Sequence, residues 1–450
     1  MRIAFVSSSL PRRCGIATFT SDLMAATRAA DPDLSIWVAA IDEPNVVRPY
    51  EREVRWRIRQ GHPGSYRAAA AAISASNVDV VNVQHEFGLY GTWHMAGTES
   101  VYEDHLRPFL EELRKPVVTT LHSVPSEPSQ SMREAVLSIV ELSQQVVVMA
   151  ATAVDLLATD YDVREPLIVI PHGMPAVEPH GRIRIKAKLG LQDRTIISTF
   201  GLVDPRKGLE YMVEAMPDVV ARHPNALYLI AGQTHPNLLR SQGERYRHSL
   251  VDTVERLGLR DHVSFIDQYM AQRDIIDLLL ATDVYVTPYL DPRQITSGTL
   301  AYAMGAGKAI VSTEYLHAKE ALGEGRGILI GFRNADQLAS AVNSILASAK
   351  RKQTLEHMAY AYAREMTWPK LGQRWVELMS RSAAADTTRP RPQGARMGAE
   401  PHAGSSPAPA SIATMVPTTE AVVTEIPEDE RSSPGEPPDM MPSLMTHGKR

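Results

Sequence analysis

The sequence predicts an α/β protein made of two successive parallel-sheet units and a tail. Short apolar segments rich in β-branched residues recur at 3–7, 36–41, 78–83, 117–121, 146–149 and 168–170. Ala- and Leu-rich segments with helical spacing, such as 18–30, 66–75 and 131–142, lie between them. The alternation restarts at 195–200 and continues through 227–231, 263–266, 284–287, 309–312 and 327–330. Near-continuous apolar strands separated by helices indicate a parallel sheet covered on both faces.

Each boundary has a local cause. Pro171-His172-Gly173-Met174-Pro175 ends the first unit, and a polar, Pro-containing run to about residue 182 leads into the next helix. These signals place a first domain at 1–178, a second at 179–366 and a crossing helix at 367–381. Residues 382–450 contain eleven prolines and no Phe, Tyr or Trp, so they lack the apolar surface to offset their ordering entropy. The expectation there is a disordered tail. The run from Arg48 to Arg59, with Val54, Trp56 and Ile58 alternating among five arginines, predicts an amphipathic strand or hairpin.

Composition excludes several classes. With 44% hydrophobic and 22% charged residues in a 450-residue chain, the protein falls among ordinary globular proteins. A formal charge of −5 gives no nucleic-acid-binding signature. The single cysteine, Cys14, cannot form an intramolecular disulfide. The apolar run at the N-terminus is too short for a signal-peptide core, and the longest apolar stretch, 146–158, contains Asp155 and falls short of a bilayer span. The expectation is a cytoplasmic protein.

Polar clusters gather where open parallel sheets bind ligands, just beyond strand carboxyl ends. In the first unit these are Arg12-Arg13-Cys14-Gly15, Gln84-His85-Glu86 and His122-Ser123. In the second, Gly201 lets the chain turn close to a ligand, and Arg206 and Lys207 offer adjacent cations where negative charge on a departing diphosphate would grow. Thr296 or Ser297 caps a helix whose first residues, Ser297, Gly298 and Thr299, leave amides open for a phosphate.

These residues carry a resemblance. Residues 1–381 resemble the family 4 retaining glycosyltransferases, which have the GT-B fold of two facing Rossmann-like domains. The most specific stretches are Pro11-Arg12-Arg13-Cys14-Gly15-Ile16-Ala17-Thr18-Phe19, Val83-Gln84-His85-Glu86-Phe87-Gly88 and Lys207-Gly208, and together they resemble a mannosyltransferase-like branch. The resemblance implies that Lys207 grips the donor diphosphate, that His122 lies beside the donor sugar, and that the loop at Gly15 adjoins diphosphate and acceptor. It also implies that the last helix crosses back onto the first domain. At two places where the family commonly has Glu, this chain has Gln294 and Tyr302. Gln294 is then expected to contact the donor sugar, and Tyr302 to meet the nucleotide ribose with a geometry of its own.

The functional expectation is retaining transfer of a hexose from a nucleotide sugar to a hydroxyl acceptor that is a glycan or lipid-linked. GDP-mannose is the first donor to consider and UDP-sugars the next. Catalysis is assigned to His122, Lys207, Arg206 and Gln294. Donor binding is assigned to Gly15, Gly201, Lys207, Ser297, Gly298, Thr299 and Tyr302, and the acceptor side to Gln84, His85 and Glu86. No metal and no other cofactor is expected. The pairs Asp31/Asp33 and Asp160/Asp162 have a metal-binding spacing, but the first reads as Asp-Pro turn chemistry before a strand, the second ends a helix, and neither lies at a strand's carboxyl end. The arginine run suggests peripheral contact with an anionic inner membrane face. A non-catalytic nucleotide-sugar-binding scaffold and a sugar-nucleotide epimerase are the alternatives.

Overall fold

The computed structural model describes residues 1–96 and 99–385. Two parallel sheets follow one another along the chain. The first holds β1 (Arg2–Ser7), β2 (Ser35–Asp42), β3 (Val54–Arg59) and β4 (Val80–His85). A two-stranded antiparallel hairpin, β5 (Gly91–Ala96) with β6 (Glu99–Asp104), is inserted next. Then come β7 (Val117–Leu121), β8 (Gln145–Val148) and β9 (Ile168–Val169), and the sheet order is β3-β2-β1-β4-β7-β8-β9. The second sheet holds β10 (Thr195–Phe200), β11 (Ala226–Ala231), β12 (Val263–Ile266), β13 (Val284–Thr287), β14 (Ala309–Thr313) and β15 (Ile328–Ile330), in the order β12-β11-β10-β13-β14-β15.

The physical cause is the burial pattern. Every residue of β4, β7, β11 and β13 is buried, because helices cover both faces. In each sheet the strand order reverses beside the first strand, between β1 and β4 and between β10 and β13. Loops leave in opposite directions at such a point and open a crevice at the carboxyl edge.

The arginine-rich run resolves to one element rather than a hairpin. β3 pairs parallel to β2 at the sheet edge, with Val54, Trp56 and Ile58 inward and Arg55 and Arg59 exposed. Arg57 and Arg48 pair with Asp42, and Arg55 stacks on Trp37 at 4.2 Å. Much of that positive charge is therefore already answered within the fold. The strand expected at 78–83 also shifts to Val80–His85, and this carries Gln84 and His85 into the sheet.

The two sheets are joined at a second place. Backbone bonds run from Met174 N–H to Met366 carbonyl at 3.0 Å and from Trp368 N–H to Met174 carbonyl at 2.9 Å. The helix Trp368–Ala384 lies on the helix Gly15–Ala30, burying Trp368, Leu371, Trp375, Leu378 and Met379 with Phe5, Phe19 and Leu23 of the first half. The two helices approach so closely that a Cβ on Gly372 would stand 2.4 Å from the Ala26 carbonyl oxygen. This helix runs beyond the sequence boundary at 381: residues 382–384 are helical and Ser382 is buried. The rest of the segment expected to be a disordered tail, 386–450, lies outside the described residues. Among the described residues no helix is long and apolar enough to cross a membrane.

Candidate active site

The two carboxyl edges face each other, and side chains bridge them. Arg13 Nη1 donates to Gln233 Oε1 at 2.9 Å, and Thr18 and Tyr269 share a hydroxyl bond of 2.8 Å. Tyr302 Oη donates to Asp22 Oδ2 at 2.8 Å, and Gln272 Nε2 reaches both partners at 3.1 Å. The carboxylate of Glu320 accepts from the N–H groups of Ala151 and Thr152, each at 2.9 Å, so the second half caps a first-half helix at its positive end. The cleft is closed by polar contacts that water can replace, the kind of seam that opens and shuts around a ligand.

On the second half, the turn Pro205–Lys207 is set by Asp204, whose carboxylate accepts the Arg206 N–H at 2.9 Å. Gly208 follows at φ 60°, and a Cβ there would meet the Pro288 carbonyl oxygen at 2.2 Å, so only glycine fits. This presses Lys207 against the loop after β13. Its Nζ lies 3.8 Å from the centroid of Tyr289, and among the described residues it has no carboxylate partner. Burial, followed by repulsion from Arg206, pushes its ammonium down to about 8. Tyr289 Oη in turn meets Thr299 Oγ1 at 2.6 Å, and Thr299 Oγ1 meets Ser297 Oγ at 3.2 Å. An under-compensated cation and the start of the helix Gly298–Gly305 therefore belong to one network.

Ser297 caps that helix through a bond from Leu300 N–H to its Oγ at 3.3 Å. Its own N–H is committed, donating to His317 Nδ1 at 2.9 Å. Of the three amides expected to be open, those of Gly298 and Thr299 are left for a ligand, and Ser297 is corrected to a capping role. A Cβ on Gly298 would stand 2.8 Å from His172 Nε2. His172 and His317 also line an apolar cavity of about 120 Å³ between the halves, with Met149, Met304, Met366 and Glu320. Sequence reading missed both histidines, although each follows a strand, β9 for His172 and β14 for His317.

Arg206 is not the free cation expected. Its Nε and Nη2 fork onto Asp204 at 2.9 and 3.0 Å, and the side chain is 73% exposed. Gly201 sits at the end of β10 with φ 123°, where a Cβ would meet Thr299 Cγ2 at 3.3 Å, so it lies against the helix start. Gln294 turns its amide to the Thr296 carbonyl at 3.0 Å. Tyr302 is buried and committed to Asp22 and Gln272, which places its hydroxyl in the seam between the halves.

The first half contributes hydrogen-bonding groups around His122. His122 Nε2 lies 2.7 Å from Gln84 Oε1, and Gln84 Nε2 donates to Asn82 Oδ1 and to Thr120 Oγ1 at 3.3 Å. This chain assigns the His122 proton to Nε2 and leaves Nδ1 as an acceptor. Burial holds His122 down to about 3, so the ring is neutral at pH 7. Phe19 packs edge-on against it at 4.9 Å. Glu86 accepts from Ser123 Oγ at 2.5 Å, and burial raises its carboxyl. A Cβ on Gly15, at the start of the first helix, would meet no atom within 4 Å, which leaves room beside the backbone.

His85 is the clear correction on this side. Its ring is fully buried, stacked on Tyr90 at 5.6 Å and edge-on to Phe87 at 5.0 Å, with no hydrogen bond to either nitrogen. β4 extends through His85, and strand alternation sends its side chain into the first core while Gln84 points the other way. It offers no atom to an acceptor. Among the described residues no group of three or more His, Cys, Asp or Glu side chains is placed to hold a metal ion.

The glycosyl transferases group 1 family model matches residues 181–366, the half that carries Lys207 and the Ser297 helix. Over that half the chain is similar to the group 1 glycosyl transferases, and its fold is shared with GT-B glycosyltransferases of known structure. It is similar to spore coat protein SA of Bacillus subtilis, 27% identical over 39% of this chain and 45% of that protein. It is also similar to a GDP-mannose-dependent α-(1-6)-phosphatidylinositol monomannoside mannosyltransferase of Mycolicibacterium smegmatis, 25% identical over 46% of this chain and 53% of that one. The chain thus spans about half the length of the curated relatives it matches. Among solved structures, Anabaena HepE in complex with UDP and glucose superposes with a TM-score of 0.63 at 17% identity, over 85% of this chain and 100% of that one. Sucrose-phosphate synthase from Thermosynechococcus elongatus gives 0.64 at 18% identity, over 86% and 100%. At these identities the likeness is one of fold.

Proposed function

We propose that this glycosyltransferase moves a hexose from a nucleoside-diphosphate sugar to a hydroxyl acceptor with retention of configuration. The observation that carries the reading is the pairing of Lys207 with the open amides of Gly298 and Thr299. A half-buried ammonium without a carboxylate, wired through Tyr289 to a helix start, is a preorganised site for a diphosphate.

In this reading the donor diphosphate lies between Lys207 and the helix start, with Arg206 adding a weaker field because Asp204 already answers it. His122 presents Nδ1 as an acceptor to a donor-sugar hydroxyl, and Gln294 meets the sugar from the other side. Glu86 has a raised carboxyl facing the same cleft and adjoins the acceptor. As position 294 has no carboxylate, transfer runs on one face of the sugar: the bond to the leaving phosphate breaks as the acceptor oxygen bonds to the same carbon. The leaving phosphate oxygen takes the acceptor proton. Charge on the phosphates is met by side chains and amides, and no metal is required.

GDP-mannose is the donor to try first, supported by the named activity of the Mycolicibacterium relative, and UDP-glucose the second, supported by the ligands of the HepE structure. A glycan or lipid-linked acceptor, and a cytoplasmic location with contact to the inner membrane face, belong to the same proposal. The test is release of GDP or UDP from each labelled donor in the presence of a panel of glycan and lipid acceptors. If no donor is consumed and no nucleotide binds, the reading fails.

A further inference from the structure

A groove beside the diphosphate site carries charge, on Arg293 and Arg333, that the reaction as proposed does not use. It is open, has a volume of about 370 Å³, and is lined by Arg206, Arg293 and Arg333 with Asp291, Leu290 and Pro292. Three loops build it, one each from the carboxyl ends of β10, β13 and β15, so it lies on the same edge as Lys207. A bond from Leu290 N–H to the Arg206 carbonyl at 2.9 Å ties the first two loops together. The third is held with Arg333 in the left-handed region at φ 56°.

The three guanidinium groups differ in how far they are answered. Arg206 is forked onto Asp204. Arg293 has only Asp291, at 3.7 Å, beyond hydrogen-bond distance. Arg333 makes no ion pair and no side-chain hydrogen bond among the described residues. Asp291 is the one carboxylate lining the groove, so the lining keeps a positive excess even when Arg206 is discounted. Guanidinium forks converging on an open, partly apolar groove match the oxygens of a phosphate.

We propose that this groove binds a phosphate group carried by the acceptor. The inference rests on the transferase reading and names the class of its second substrate: a hydroxyl acceptor bearing a phosphate monoester or diester. The phosphate comes either from a soluble sugar phosphate or from the headgroup of an anionic lipid, and the two share the recognising chemistry. The donor diphosphate is held separately, by Lys207 and the Gly298–Thr299 amides.

The test compares binding of glucose 6-phosphate and mannose 6-phosphate with that of glucose and mannose. A parallel arm compares vesicles of phosphatidylcholine with and without phosphatidylinositol. Both arms use the full chain and the Arg293→Gln, Arg333→Gln and double variants, with GDP and UDP affinity measured beside them. The groove predicts that the phosphorylated probe binds at least about tenfold more tightly than its neutral counterpart. The double variant should abolish that preference and leave nucleotide affinity within about twofold, as expected for sites with no shared ligand. A preference seen only with soluble sugars, or only with vesicles, assigns the source and supports the site. Equal binding of phosphorylated and neutral probes by the unmodified chain overturns it, and so does a double variant that loses nucleotide and phosphate together. Absence of nucleotide binding in every arm would instead sink the transferase reading, while the phosphate preference of the groove is read on its own.

Discussion

The two walls of the cleft are built from opposite kinds of chemistry. The second half presents charge: Lys207 without a counter-ion, two open amides, and a fringe of arginines. The first half presents hydrogen-bonding groups: His122 held uncharged, the buried Gln84 amide, and a Glu86 carboxyl that burial raises. In the proposed reading, charge stabilisation and hydroxyl orientation are divided between domains. A diphosphate needs strong fixed positive potential, whereas a sugar hydroxyl needs directional donors and acceptors that do not compete by attracting anions.

The largest expected effect lies on the charged wall. Lys207→Ala should lower donor turnover by about 10²–10³-fold, the scale of losing one preorganised charge stabiliser. Its melting temperature should hold or rise, because a half-buried cation without a counter-ion costs folding free energy rather than supplying it. His122→Ala should cost about tenfold in turnover and leave affinity for free GDP or UDP unchanged. Equal loss of nucleotide affinity in both variants would erase the division.

pH sharpens the same contrast. Burial holds Lys207 down to about 8, so the charged form that would hold the diphosphate predominates below that value and is lost as pH rises through it. Nucleotide affinity should therefore fall between about pH 8 and 10, and Lys207→Arg should flatten the profile because guanidinium stays charged. Calorimetric titrations across that range check both.

Acid acts on the buried histidines of both halves. Burial holds His85 and His122 down to about 3 and His172 and His317 down to about 4, well below the unfolded value near 6.5. The unfolded chain therefore binds more protons below pH 6.5, and stability should decline as pH falls from 7 to 5, by about 1.4 kcal/mol per unit for each such histidine. The stability is fully present above pH 6.5. Replacing His85 by Phe should reduce the slope, since that ring is buried among aromatics without a polar partner. An unchanged slope would mean the ring titrates normally.

The smallest effect expected is none: EDTA should leave turnover unchanged. A loss restored by a divalent cation would show that metal, rather than Lys207 and the helix amides, carries the diphosphate charge.

Much of the charged wall was legible in the chain. Lys207-Gly208 and Ser297-Gly298-Thr299 are local signals whose geometry is set within a few residues, by a left-handed glycine and a side-chain cap. The wall from the first half was not. Whether Gln84 or His85 faces the cleft depends on where β4 ends, and a strand end that shifts by two residues changes which side chain reaches the site. Asp22, Gln272 and Tyr269 gave no sequence signal, because their partners across the seam stand 250 or more positions away in the chain.

The sequence by itself determined the two α/β halves, the strands at 117–121, 195–200, 263–266 and 284–287, and the cationic turn, because periodicity, capping and glycine conformation act over short spans. Only the tertiary structure decided that Arg206 is spent on Asp204 and that His85 is core. It also decided that Tyr302 closes the seam against Asp22 and that three arginines from separate loops share one groove. Those outcomes depend on which carboxylate, ring or loop the fold brings within a few ångströms, and burial and charge pairing act through space rather than along the chain.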